Sequence, residues 1–489
     1  MLWIGKIGKE KLMKKNFIYN ILYQVLILIL PLITIPYVSR ILGADGVGTY
    51  SYTYSIVHYF MLIAMLGINN YGNRTIAKSR NNKEEMSKNF LGIYLLQILM
   101  SIFMIMIYLV YIFIFNSQYK YIAIIQTLYV ISCIFDVNWF FFGIEKFKLT
   151  ITRNTIIKIL SLILIFLFVR RQSDVGIYTL ILSGSTLLSN IFLFSFLRKH
   201  IKLKKINKKD VLKHIRPCII MFLPVISVSI YKIMDKIMLG AISSIVEVGY
   251  YENAEKIIQV PLTVITALGT VMLPRISNMI SANQEEKVKK IITRSMKFVM
   301  FLTLPIIFGI ISISQEFSVA FFGSEFEKSG ILMQYLSITI LFLAFGNVIR
   351  TQYLIPKERD KEYVISAILG AIINFIINII FIPKYGAIAA CLGTVMAELL
   401  VVSYQTFSIR KDLDIKKYIY DSIPFLIKAG IMFFIIHWFN YLSINEIYRI
   451  VLKVISAIII YIVLNIEYIN QNIQLKELIS KYIRKVVEV

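Results

Sequence analysis

The sequence predicts an all-α membrane protein of fourteen transmembrane helices, two units of six followed by two more. Three observations carry that reading: apolar runs of spanning length from Phe17 almost to Asn465, basic residues that alternate between connectors, and a short motif that recurs about 200 residues later.

The apolar runs come first. Of 489 residues, 58% are apolar and only 17% charged, with a mean hydropathy of +0.72. One aqueous core needs far less, so the excess faces lipid. Runs such as Leu99–Phe115 and Ile368–Ile382 do not alternate in polarity, which argues for helices and against a closed β-barrel. The spans read as residues 17–38, 46–68, 90–114, 121–143, 155–169, 176–197, 217–239, 249–273, 298–315, 331–352, 363–383, 386–408, 421–441 and 447–466. The first is long, contains Pro31 and Pro36, and passes into Arg40 and Gly43 without a small-residue cleavage pattern, so it reads as a span and not a signal peptide. Cys133, Cys218 and Cys391 each sit in apolar sequence without CxxC spacing, which disfavours a disulfide framework or a metal cluster.

Charge sets the orientation. The net charge of +25 lies mostly between spans, so it points to a membrane surface and not to nucleic acid. With the N-terminus inside, 41 of the 53 Lys and Arg fall on the cytoplasmic side and 8 outside: Arg40, Lys120, Arg170, Arg171, Lys328, Lys384, Arg449 and Lys453. Lys232, Lys236, Lys256 and Lys428 fall within or near the ends of spans. Short basic connectors stay in the cytoplasm, so both termini are expected there. The longest connector, Arg198–Arg216, is expected to lie against anionic headgroups. It separates an N-terminal lobe, 1–197, from a C-terminal lobe, 217–409. Residues 410–489 add two helices and a tail whose end, Ile473–Val489, has the spacing of an amphipathic interfacial helix.

The motif Arg40-Ile41-Leu42-Gly43-Ala44 followed by Val47-Gly48-Thr49-Tyr50 returns as Ile237-Met238-Leu239-Gly240-Ala241 followed by Val248-Gly249-Tyr250-Tyr251. Both copies end an outward span and begin its return, as repeated six-span units require. Pro31, Pro36, Pro217, Pro224 and Pro261 mark places where helices can bend.

Polar residues inside spans are the candidate site. Lys232, Asp235 and Lys236 share one helical face, and Glu252, Glu255, Lys256 and Gln259 repeat the pattern one span later. Each charge facing hydrocarbon would cost about 2.5–3.5 kcal/mol, so these faces turn to a polar cavity or to each other as a salt-bridged helix pair. Asn20, Gln24 and Arg40 around the first span, with Asp136 and Asn138 in the fourth, are the candidates from the first lobe. Asn374, Asn378 and His437 read as packing residues. HExxH, GxSxG, P-loop and acidic metal motifs are missing, and the connectors are too short for a catalytic domain, so transport is expected and enzyme chemistry is not.

The chain resembles the polysaccharide repeat-unit flippases, for O-antigen or capsule, of the multidrug/oligosaccharidyl-lipid/polysaccharide exporter superfamily. The resemblance rests on Asn20 in a proline-bearing first span, Pro36-Tyr37-Val38-Ser39-Arg40-Ile41-Leu42-Gly43, Gly249-Tyr250-Tyr251 with Ala254-Glu255-Lys256, and Tyr353-Leu354-Ile355-Pro356-Lys357. It implies a V-shaped pair of six-helix lobes in the bacterial cytoplasmic membrane. The implied cargo is an undecaprenyl-diphosphate-linked oligosaccharide, moved to the outer leaflet and handed to a polysaccharide polymerase and chain-length proteins. Arg40, Lys232, Lys236 and Lys256 are then expected to take the diphosphate, with Asp235, Glu252, Glu255 and Asp136 positioning them or coupling transport to a proton or sodium gradient, without a cofactor. Asn20, Gln24, Asn138 and Gln259 are expected to line the cavity. A lipid II flippase, a drug or metabolite exporter, and a membrane enzyme of glycan assembly are the alternatives.

Overall fold

The computed structural model describes residues 2–115, 118–202 and 205–471, with the side chains of 2–29, 224, 227, 231 and 232 outside that description. The chain divides into two compact units, Met1–Glu252 with Asn378–Ala387, and Asn253–Ile377 with Ile388–Val489.

In the first unit, α1 (Leu2–Met65) is broken at Gly43, whose φ of 68° lies in the left-handed region that glycine enters without a Cβ clash. Helix α2 (Ile68–Ser79) starts behind Gly67, and α3 (Lys83–Ile114) is capped by Asn82, whose side chain accepts from the Glu84 and Glu85 amides. A break at 135–137 separates α4 (Lys120–Ile134) from α5 (Asn138–Gly143). Buried Gln97 satisfies the groups this break frees: its amide donates to Cys133 O at 2.6 Å and Asp136 O at 2.9 Å, while Trp139 Nε1 donates to its oxygen at 3.0 Å. Then come α6 (Phe147–Phe168), α7 (Val175–Ser195) and α8 (Lys208–Ile242), which starts at a capping box of Asn207 and Asp210. Helix α8 bends by 50° between Leu223 and Val228, in the segment that holds Pro224. The core joins Ile68, Ile76, Ile93, Trp139, Phe140 and Leu193 to Val211 and Cys218 of α8.

Helix α9 (Ile245–Ser281) begins in the first unit and continues in the second. The second unit adds α10 (Glu285–Phe322), α11 (Glu327–Ile349), most of α12 (Asp360–Tyr385), α13 (Ala387–Ser408), α14 (Ile415–His437), α15 (Glu446–Leu464) and α16 (Ile466–Gln471). A five-residue π-helix, Arg350–Leu354, prolongs α11.

Among the described residues, twelve helical stretches are long and apolar enough to cross a membrane, or thirteen with the bent α8. The protein is therefore all-α and multi-spanning. The count differs from the expected fourteen because the stretch Leu30–Ser79 runs helically through the Gly43 break and covers parts of two expected spans. One other expectation changes. The fifth span starts at Phe147, not 155, so its helix takes in Arg153 as well as Lys158, which already lay within the expected bounds. Arg449 and Lys453, counted on the outer side within the last span, lie in the first turns of α15, where Glu316 of α10 receives both at 2.9 Å. The amphipathic tail Ile473–Val489 lies outside the described residues.

Candidate transport site

The first unit encloses a cavity of about 870 Å³. Helices α1, α2, α4, α5, α6 and α7 all contribute to its wall, and much of that wall is polar, with Asn69, Asn70 and Asn73 from α2 and Asn190 from α7. Two predicted residues, Asp136 and Asn138, lie in it. Their geometry follows from the break between α4 and α5. The Asp136 carboxylate accepts from the Asn138 backbone at 3.0 Å and from its side-chain amide at 2.7 Å, so the acid holds the first residue of the short helix α5 in place.

Arg153 completes this group. Only 4% exposed, it donates to Asn138 Oδ1 at 2.9 Å, Ser189 O at 3.0 Å and Asn154 Oδ1 at 3.1 Å. A planar guanidinium with fixed donors suits such a frame, because each bond restrains the same plane. The Asp136–Asn138–Arg153 relay therefore ties α5 to α6 and α7 at the cavity wall. Asn190 Nδ2 donates to Ser132 O at 3.1 Å, and Ser161 Oγ bonds Ser185 Oγ at 2.8 Å, which binds α7 to α4 and α6.

The second predicted cluster forms where α8 meets the start of α9. Lys236 Nζ donates to Glu252 Oε2 at 2.9 Å, and Ser51 Oγ of α1 donates to the same oxygen at 2.7 Å. Asp235 is 1% exposed, and Tyr251 OH donates to its Oδ2 at 2.8 Å. The Asn378 amide donates to Oδ1 of the same carboxylate. Asn378, read from sequence as a packing residue, thus touches the most buried predicted acid. Its i,i+4 spacing from Asn374 was the available signal, but only folding brings it across 143 residues to Asp235.

Other predicted residues lie apart from these contacts. Arg40 is exposed on α1, and neither it nor Lys236 is part of the cavity wall. Glu255 and Lys256 are partly buried and Gln259 exposed on α9, in the second unit. The side chains of Asn20, Gln24 and Lys232 fall outside the described residues. Sequence reasoning missed Arg153, which it left in the cytoplasmic connector, and Lys158, which it placed inside the fifth span but counted with the cytoplasmic charges. The available signal was their place on one face with Asn154, Ile157, Ser161 and Ile165.

Among the described residues, no group of three or more His, Cys, Asp or Glu is arranged to hold a metal ion. Polar amides, hydroxyls and two basic residues facing a cavity inside an apolar bundle provide surroundings for polar groups that lipid would exclude.

A family model described as "Polysaccharide biosynthesis protein" matches residues 13–280, and one described as MatE matches 217–380. A candidate O-antigen transporter of Shigella dysenteriae is 22% identical over 81% of this chain and 100% of its own length. One of Escherichia coli K12 is 23% identical over 82% of this chain and 97% of its own. The lipid II flippase MurJ of Bacillus subtilis is 25% identical over 32% of this chain and 29% of its own. Among solved structures, lipid II flippase MurJ in an inward closed conformation has a TM-score of 0.64, with 18% identity, over 93% of this chain and 99% of that one. An inward-facing multidrug resistance MATE family transporter has a TM-score of 0.56, with 14% identity, over 78% of this chain and 98% of that one.

Proposed function

The chain belongs to the polysaccharide biosynthesis protein family, and from that premise we propose that it moves a polyprenyl-diphosphate-linked saccharide from the cytoplasmic to the outer leaflet by alternating access. At the coarser level it is a flippase or exporter of lipid-linked sugar, and not an enzyme. The observation that carries the proposal is the polar cavity of the first unit. Sugar hydroxyls and a diphosphate cannot cross hydrocarbon unaided, whereas a prenyl chain remains in lipid.

Two cargoes are compatible with this reading. Lipid II is supported by the sequence match to the lipid II flippase MurJ of Bacillus subtilis, which spans 32% of the chain. An O-antigen or capsule repeat unit is supported by curated relatives that align along 81% and 82% of it. The solved-structure likeness bears on fold, so the choice rests on transport itself.

The proposal includes fourteen spans, counting α1 as two about Gly43, with both termini cytoplasmic and two lobes, 1–197 and 217–409, in a V. Residues 198–216 form the cytoplasmic linker, and 410–489 the appended helices and tail. Arg40, Lys232, Lys236 and Lys256 meet the diphosphate; Asp235, Glu252, Glu255 and Asp136 position them or couple transport to a proton or sodium gradient. Asn20, Gln24, Asn138 and Gln259 belong to the polar path.

The test is flipping by the purified full chain in vesicles, with lipid II in one arm and an undecaprenyl-diphosphate-linked repeat unit in the other. Movement of either supports the reading and identifies the cargo. Movement of neither, with an imposed proton or sodium gradient, overturns it.

A further inference from the structure

We infer that Lys158 is an anion-binding residue of the first unit's cavity, and that it receives an oxyanion of the cargo: the diphosphate or a carboxylate on the saccharide. The inference rests on the transport reading above and gives one further residue a defined chemical task.

Position makes the first part of the case. Lys158 lies eleven residues into α6, about 16 Å along its axis and near its midpoint. Ile156, Ile159, Leu160 and Ile163 of the same helix are exposed and apolar, as a lipid-facing side should be. Asn154, Ile157, Lys158, Ser161, Leu162 and Ile165 form the other side and line the cavity. An ammonium on the cavity-lining side of an apolar helix needs water or a counter-charge, because hydrocarbon supplies neither.

Among the described residues, none supplies such a counter-charge. Lys158 makes no ion pair or hydrogen bond with any described residue. The cavity has one carboxylate in its wall, Asp136, and that group already accepts two bonds from Asn138. Arg153 is the cavity's other permanent cation and is fastened to Asn138, Asn154 and Ser189. Two fixed cations against one acid leave the walls with an excess of one positive charge, and Lys158 is the cation on a flexible stem. An oxyanion entering with the cargo supplies what is missing, while nearby amides and hydroxyls accommodate the rest of a saccharide.

The test uses the purified full chain in lipid nanodiscs. Lys158 is acylated with an amine-reactive reagent, and the extent is read by peptide mass spectrometry with inorganic pyrophosphate, glucuronate or chloride present. Either oxyanion should slow labelling at Lys158 at least threefold relative to chloride. Binding is then measured for undecaprenyl diphosphate carrying a neutral trisaccharide and for the same lipid carrying a glucuronate residue. Lys158→Gln should weaken binding about tenfold, and Lys158→Arg should restore most of it. Equal loss with both lipids identifies the diphosphate, and loss with the glucuronate lipid alone identifies the sugar carboxylate. Labelling that neither oxyanion changes, or a Lys158→Gln variant that binds both lipids as the wild type does, overturns the inference. Protection at Lys158 in a chain that flips no lipid-linked saccharide would defeat the transport reading and leave the anion site standing.

Discussion

Gly48 and Gly249 meet backbone to backbone: a Cβ on Gly48 would stand 3.0 Å from the Gly249 nitrogen and overlap the Ile245 carbonyl, and one on Gly249 would overlap the Ala44 carbonyl. Gly249 follows Gly48 by 201 positions, and Ile245 follows Ala44 by the same number. The contact is therefore reciprocal, with each copy of the repeated motif offering a glycine to the other's carbonyl, as a two-fold relation demands. Nearby, Gly240 leaves room for the Tyr52 ring.

Replacing Gly48 or Gly249 by Ala forces these backbones apart. Each change should cost about 1–3 kcal/mol, the usual penalty for overpacking a close contact. The pair should be non-additive, since the first Cβ already opens the gap. Thermal melting of the single and double variants in detergent measures both effects. Unchanged melting in both single variants would show that the close approach contributes nothing to stability.

The repeat was legible because its motif survives in the sequence; its meaning was not, since spacing alone does not say that the copies touch. The helical bundle was legible for a similar reason, as lipid forces every span to look apolar. Asp136 with Asn138 was found by polarity in an apolar run, but Arg153 was not, because an arginine near the end of a helix and one in a connector look alike in sequence. Lys453 was placed within the last span, but its pairing was not legible. Its partner Glu316 lies 137 residues away, and no local pattern joins them. Asp235 was identified as an interior charge, but its bond to Asn378 depends on tertiary packing.

Lys236 and Glu252 are each about 85% buried and share a 2.9 Å bond. If Lys236 serves the diphosphate together with Lys232, Lys232→Gln with Lys236→Gln should cut transport on the order of 100-fold at unchanged protein level, since two charged bonds are lost. If the task of Lys236 and Glu252 is to join α8 to α9, Lys236→Gln should lower abundance and Glu252→Gln in the same chain should restore it. Transport in vesicles normalised to folded protein separates the two, with a coupling energy of about 1–3 kcal/mol expected for the pair in the second case.

His200 gives a pH dependence outside the spans. Its Nδ1 donates to Phe196 O at 3.1 Å, and Nε2 accepts from Lys146 Nζ at 2.6 Å, an arrangement open only to the neutral ring. Burial pushes its pKa below the ordinary imidazole value, and Lys146, Lys83 and Lys199 add to this, while the bond to Phe196 opposes it. The unfolded chain takes up a proton near pH 6.5 and the folded chain at lower pH. Between those points the unfolded state binds more protons, so stability should fall as pH falls through about 6.5. Melting at pH 7.5 and 5.5 should show a smaller drop for His200→Gln than for the wild type; equal drops would remove His200 as the cause.

The orientation is tested by labelling. Single cysteines in Arg198–Arg216 and Gly323–Gly330, in a background without Cys133, Cys218 and Cys391, should react differently with an impermeant maleimide on intact cells. Strong labelling is expected in the second segment and little in the first. Equal labelling would remove both the fourteen-span count and the cytoplasmic placement of the termini.

Among the described residues, Glu316 is the one carboxylate that pairs with the two cations of α15, with Arg449 Nε at 2.9 Å and Lys453 Nζ at 2.9 Å. Lys453 is fully buried and also donates to Ser312 O at 3.2 Å, so its ammonium has exchanged water for this one acid and one carbonyl. Removing the acid alone leaves that charge uncompensated. Glu316→Gln should therefore destabilise the second unit by about 3–5 kcal/mol, as breaking a buried pair from one side does. Arg449 is more exposed at 18%, and its loss should matter less. Replacing both buried partners, Glu316→Gln with Lys453→Met, removes the stranded charge and keeps most of the volume. It should recover much of the lost stability, because an apolar substitute for a buried pair is often neutral. The measurement is thermal melting of the three variants beside the wild type, with cell-surface abundance as a second readout. A double variant no more stable than Glu316→Gln would mean that the acid acts through Arg449 or through packing, and that the buried Lys453 charge is not what ties α15 to α10.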